Sequence, residues 1–384
     1  MSSRQLARAQ RMAFAVGIAF LLLSLPQAVL DYGRFLQSYL FAYLFWLELS
    51  LGSMAMLMLY CLTKGGWGAV TRRILEASTR TLYVTAIFFL PILVGVKHLY
   101  PWAHDSMFAS GLLPHKSVYF DLIFFYARSV FYFLSWLLTA YFLDHALNQK
   151  DGGSTSTKAI RLSACALVIF GLTVTGAAID WQMSLDPLWR STIYGMIFAI
   201  GQAFGAWAFT LLILRLLLAA PSNNILIPIK TERDLGSLLL TLVILWAYLS
   251  FMQYLIVWSG NLPDEVTWFG KRTRHGWQWL LLLLLLFQFA APFAALLFRS
   301  AKASTTAMIL LTISILIVRI LDRYWMIMPS FYPDGISIAY TDLTLVIGLG
   351  GLWLGGFLWY LNRRAIFFVN DPNWPEPENV VLHA

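Results

Sequence analysis

Between Tyr119 and His145 the chain runs long enough to cross a bilayer, yet it carries Asp121 and Arg128. About 20 apolar residues suffice for a crossing. An ionised side chain in hydrocarbon costs roughly 3 kcal/mol or more, so these two must face protein or a wet cavity. Asp121, Arg128, Tyr132, Ser135 and Thr139 recur at intervals of three, four or seven, which puts them on one helical face. A lone helix cannot carry that face through lipid. The remaining chain has to surround it.

The rest of the sequence supplies such surroundings. Of 384 residues, 59% are hydrophobic and only 12% charged, against about 25% charged in a soluble domain. The charges cluster between long apolar runs. This predicts an all-α polytopic membrane protein with about ten transmembrane helices. The spans fall near 12–30, 39–62, 81–98, 119–143, 159–179, 191–219, 235–258, 277–298, 305–328 and 338–361, in one integral domain over 1–361. The net charge of +8 belongs to helix ends and gives no reason to expect nucleic acid. The run after Arg4, Arg8 and Arg11 is longer than a usual signal-peptide core of about 7–15 residues, so a retained first helix is expected.

Basic residues set orientation. One side holds Lys64, Arg72, Arg73, Arg80, Lys150, Lys158, Arg161, Lys230, Arg233, Arg299, Lys302, Arg363 and Arg364. The other holds Arg34, Lys97, Lys116, Arg190, Lys271, Arg272 and Arg274. The excess predicts both termini in the cytoplasm, followed by a Pro- and acid-rich tail over 362–384. The cluster at 271–274 runs against the trend. It either has a task on the outer side or pairs with Asp264 and Glu265. The outer loops near 99–118 and 259–276 carry His104, His115 and His275 with tryptophan-rich patches. They read either as an interfacial belt or as a docking surface.

Two groups of buried polar residues stand out. A helix rises about 1.5 Å per residue, which places Glu48 and Arg128 at matching depths of roughly 13 Å, so they are expected to pair. With His98, Asp121 and Asp180 they form a candidate acid/base ladder, a half-path from the outer surface. The second group is Arg319, Asp322 and Arg323 on one face, with Asp342 and Gln253 at similar depth. Either group also reads as ion pairs that only fix helix register. Phe124, Tyr126, Tyr132 and Trp136 are candidate walls of an apolar slot, or plain packing.

Cysteine and histidine placement excludes some chemistry. Cys61 and Cys165 are the only cysteines, too few for an iron–sulfur centre, and both are expected free. All six histidines sit at helix ends, in loops or in the tail, which argues against axial haem ligation at membrane depth.

The segment Trp258-Ser-Gly-Asn-Leu-Pro-Asp-Glu265, within the ten-span layout, resembles the F-type subunits of alternative complex III, in the polysulfide-reductase-type (NrfD-like) family of membrane subunits. The resemblance implies two four-helix bundles plus two peripheral helices, in the bacterial inner membrane. It implies a haem-free subunit of a complex that oxidises quinol and passes electrons to cytochrome c or a terminal oxidase. Partners would be a sister C-type membrane subunit, an iron–sulfur subunit and c-type cytochromes. No covalent cofactor is implied, and quinone or quinol is the candidate ligand. Glu48, His98, Asp121 and Arg128 would match the bundle that holds quinone in the sister subunit, with a proton-conducting or secondary quinone role here. Two other readings remain open. Pro91 and Pro292 lie five spans apart, as a five-plus-five inverted-repeat transporter requires. The chain also reads as an inert scaffold for outer-side redox subunits.

Overall fold

The computed structural model describes residues 3–104, 119–147, 157–220, 227–363 and 374–375. Expectations attached to His115, Lys116, Lys150, Arg364 and nearly all of the tail lie outside the described residues. Among the described residues every regular element is a helix. Ten helices are long and apolar enough to cross a bilayer: α1 (Arg4–Leu30), α2 (Tyr32–Thr63), α3 (Gly66–Val94), α4 (Leu122–Leu147), α5 (Thr157–Leu185), α6 (Tyr194–Leu218), α7 (Ile229–Gly260), α8 (Trp277–Leu297), α9 (Thr305–Ser330) and α10 (Tyr340–Asn362). The chain is a multi-pass membrane protein. Helices satisfy every backbone polar group internally, which lipid demands. The start of α1 and the end of α10 share one end of the molecule, the termini end; the opposite end is the far end.

Local chemistry sets the helix limits. The Asp31 carboxylate accepts the Arg34 N–H at 2.9 Å and caps α2. Lys64, at φ 51°, closes the same helix in the left-handed region. Asn261 (φ 47°) stops α7, and Pro263 then starts a short helix, Pro263–Arg272. The third crossing starts at Gly66, not near 81. Its charges do not form a solvated connection, because Glu76 accepts from Arg72 at 2.8 Å and from Arg73, and Arg80 pairs with Asp144 on α4.

The packing groups the spans four, four and two. α2–α5 form one bundle and α6–α9 another, while α1 and α10 lie along each other outside them. The two bundles meet where α2 crosses α6. A methyl group at Gly52 would sit 1.9 Å from the Gln202 carbonyl oxygen, so the backbones touch as membrane helices do at small residues. The inside of the first bundle is filled with rings. Trp181 has Phe89, Phe133 and Trp136 within 6 Å of its ring centre, and Tyr100, Trp102 and Phe125 continue the stack.

The α1–α10 seam is equally tight: a methyl at Gly351 would lie 2.5 Å from the Gly17 Cα. At Gly171 it would meet nothing within 4 Å. Gly351→Ala is therefore expected to lower stability by about 1–3 kcal/mol, whereas Gly171→Ala gains up to about 1 kcal/mol of helix propensity. Thermal unfolding of both variants in detergent checks the opposite signs.

Candidate functional site

The centre of the molecule is an ionic quartet. Arg319 of α9 donates to Glu48 of α2 twice, Nε to Oε1 at 2.8 Å and Nη2 to Oε2 at 2.7 Å. Arg323 Nε reaches Oε2 at 2.7 Å, and Arg319 Nη1 reaches Asp322 Oδ2 at 2.7 Å. All four side chains are buried. Two carboxylates and two guanidiniums sum to zero formal charge, which limits the cost of removing them from water. Arg323 Nη1 also donates to Gln182 Oε1 at 3.3 Å. α6 makes room through glycine. A methyl at Gly205 would sit 2.2 Å from Glu48 Oε1, and one at Gly201 2.6 Å from Arg319 Nη2.

The expected Glu48–Arg128 pair does not form. α2 starts at Tyr32, not near 39, and α4 at Leu122, so Glu48 lies much deeper from the far end than Arg128 does, and it turns toward α9. Arg128 instead clasps Asp180 of α5, with Nε to Oδ2 at 2.8 Å and Nη2 to Oδ1 at 2.9 Å. The hydroxyls of Tyr119 and Tyr132 each donate to Asp180 at 2.8 Å. That carboxylate has four donors and no lone pair left for a ligand. Asp121 is exposed and its Oδ1 accepts the Phe124 N–H at 3.0 Å, a helix cap. His98 is exposed and edge-on to Tyr32. The five residues read as a ladder thus divide among four places. Asp342 also leaves its group: it pairs with Arg34 at 2.6 Å and accepts from Ser38 at 2.6 Å, tying the far ends of α10 and α2.

A cavity of about 740 Å³ occupies the second bundle, within the usual range of about 300–1,000 Å³ for ligand sites. Spans α6 to α9 wall it. Its surface is mostly aromatic and aliphatic, including Phe198, Phe251, Phe289 and Trp325, with Asp322, Arg323, Gln253, Ser250 and Thr273 among its polar members. Trp268 and Phe269 of the short helix cover its far end. Between α7 and α8 it opens sideways. These helices touch along Ala291–Leu297 and diverge along Trp277–Leu284. Tyr248, Phe251, Tyr254 and Leu285 line the cavity and are also exposed on the outside of the bundle. Residues 285–290 of α8 form a π turn. Pro292 lacks an N–H and its ring clashes one turn back, so an extra residue is accommodated there.

The far-end cover is held by a brace that sequence reasoning missed. Lys271 pairs with Asp186 at 2.6 Å, and Arg272 Nη2 lies 3.5 Å from the same carboxylate. Lys271 and Arg272 of the 271–274 cluster thus turn to Asp186, not to Asp264 or Glu265. Arg272 also donates to the Met326 carbonyl at 2.8 Å and to Ser330 at 2.9 Å, and its guanidinium lies 3.7 Å from the Trp268 ring centre. Trp268 stacks on Trp189 at 4.4 Å. Burial alone would raise the Asp186 carboxyl, but Arg272, Lys271 and the Lys271 and Ser330 hydrogen bonds outweigh it and hold it below its usual value. Burial pushes the Arg272 guanidinium down to about 10, so it stays charged at neutral pH.

No group of three or more His, Cys, Asp or Glu side chains able to hold a metal occurs among the described residues. Cys61 and Cys165 are free thiols. No family model and no curated protein matches the chain.

Removing one member of the quartet leaves a charge stranded. Glu48→Gln is expected to cost about 3–5 kcal/mol, read as loss of folded protein after detergent extraction. The brace has a pH signature. Because the folded Asp186 pKa is depressed, its contribution is complete above the unfolded value of about 4 and fades as pH falls through the lower folded value. The difference in unfolding temperature between wild type and Asp186→Asn should be constant from neutral pH to about 5 and shrink in more acidic buffer.

Proposed function

We propose that the chain is a haem-free membrane subunit of a quinol-oxidising electron-transport complex of the alternative complex III type. On this reading it sits in a bacterial cytoplasmic membrane with both termini inside. A quinone-class ligand occupies the second-bundle cavity, and iron–sulfur, c-type cytochrome and sister C-type subunits are its partners.

The observation that carries the reading is the sideways opening onto lipid of an aromatic cavity that ends on ionised groups. A ligand using that entrance must dissolve in the bilayer and yet present polar atoms to Asp322, Arg323 and Gln253. Quinones combine a planar ring, a lipid tail and oxygens at opposite ring positions. The segment Trp258–Glu265 that carries the family resemblance has a place in this picture. It is the break after α7 at Asn261 and the restart at Pro263, and it lays Trp268 over the cavity. The packing supports this reading over a five-plus-five transporter. Pro91 and Pro292 do interrupt α3 and α8, but α1 and α10 pair with each other and leave two sets of four.

Two measurements test it. Pulled out of native membranes by an affinity tag in mild detergent, the chain should bring c-type haem and iron–sulfur absorbance. A colourless chain isolated alone or as a homo-oligomer overturns the proposal. In the same preparation a photoreactive azidoquinone should label peptides of α7–α9. Ser250→Trp, which places an indole inside the cavity, should abolish that labelling.

A further inference from the structure

The buried carboxylates differ in how fully their oxygens are used. Asp180 has four donors. Glu48 has three, all from guanidinium nitrogens. Asp342 accepts from Arg34, Ser38 and the Ala339 N–H. Asp322 has a single partner, Arg319, on Oδ2. Its Oδ1 takes no hydrogen bond from the described residues, and Asp322 lines the cavity. A carboxylate in hydrocarbon surroundings with an open oxygen is costly unless something donates to it. Gln253 supplies the opposite function. Its Oε1 is taken by the Ser191 hydroxyl. The amide is thereby oriented, and Nε2, which meets no acceptor among the described residues, can donate to a ligand in the cavity it lines.

We infer that this cavity selects the reduced, hydroxyl-bearing form of its ligand, with Asp322 Oδ1 accepting the hydroxyl proton and Gln253 Nε2 donating to a second ligand oxygen. The inference rests on the quinone reading above. An oxidised quinone has only acceptor oxygens. Gln253 satisfies one of them, but none satisfies the open oxygen of Asp322, and a carbonyl placed there sets lone pair against lone pair. A quinol hydroxyl fills that vacancy. Transfer of its proton breaks the ligand O–H bond and forms an O–H bond on Asp322. The electron pair stays on the ligand oxygen, giving a quinolate, and no electron changes hands. Charge is conserved locally. The quartet passes from neutral to +1 and the ligand from neutral to −1, with the excess positive charge on the Arg319–Arg323 side. Arg323 lines the same cavity, so the quinolate forms beside a guanidinium.

The experiment titrates the intact purified complex with decylubiquinol and, separately, decylubiquinone, following quenching of tryptophan fluorescence; Trp246, Trp268 and Trp325 line the cavity. Only the signal that Ser250→Trp removes is counted, which excludes quinone sites on partner subunits. Wild type should bind the quinol about tenfold more tightly or better, the range of one hydrogen bond to a charged group. Asp322→Asn offers an amide donor and should abolish or invert the preference, while Asp322→Glu should keep it. Gln253→Leu should weaken the quinone more than the quinol, and this arm stands if the Asp322 variants fail to accumulate. Equal affinity of wild type for both forms overturns the inference and leaves the quinone reading intact. Absence of any counted signal with either form overturns the quinone reading itself.

Discussion

Glu48 held between Arg319 and Arg323 is the interaction on which the rest of the architecture turns. A single ion in hydrocarbon costs several kcal/mol after relaxation, so four can persist only as a closed, neutral set. Closure requires α2 and α9 to come within side-chain reach across α6, and that in turn requires α6 to be bare at Gly201 and Gly205. The inter-bundle crossing at Gly52, the seating of α9 and the position of Asp322 at the cavity wall all follow. The two halves of the molecule are joined by charge at their centre and by close backbone contact around it.

Three other ionic contacts are local clasps. Arg128 and Asp180 lock α4 to α5, Arg34 and Asp342 join the far ends of α2 and α10, and Lys271, Arg272 and Asp186 pin the cavity cover. Each carboxylate among them accepts from several donors, as buried charges must. Asp322 departs from this pattern, and it does so where the protein has left space. The aromatic filling of the first bundle and the open chamber of the second make the same contrast at the scale of whole helices.

Hydropathy makes the ten crossings readable, because length and apolarity are properties of one segment at a time. The shared face of Arg319, Asp322 and Arg323 is readable too, since helical spacing is local. The partner of Glu48 is not. Depth along the axis can be read only once the helix start is known, and α2 begins at Tyr32, about two turns earlier than the apolar run shows; which helices neighbour each other is encoded in packing. The Gly201-x-x-x-Gly205 spacing in α6 was the available signal, marking a helix that yields space to something bulky beside it. The brace was half visible. Lys271 and Arg272 stood out as cations on the less basic side, but Asp186 is about 85 residues distant in sequence, and nothing local connects them. The cavity has no signature in one segment, since it is the space between four.

The π turn in α8 has its own consequence. One residue beyond regular winding advances a helix by about 100°. The stretch of α8 that walls the chamber, around Leu281 and Leu284, is therefore set in rotation separately from the stretch around Leu296 that packs at the termini end. A one-residue change of length there resets the angular phase between those two stretches. Chamber shape and bundle seating thus become two independently adjustable properties of a single rod.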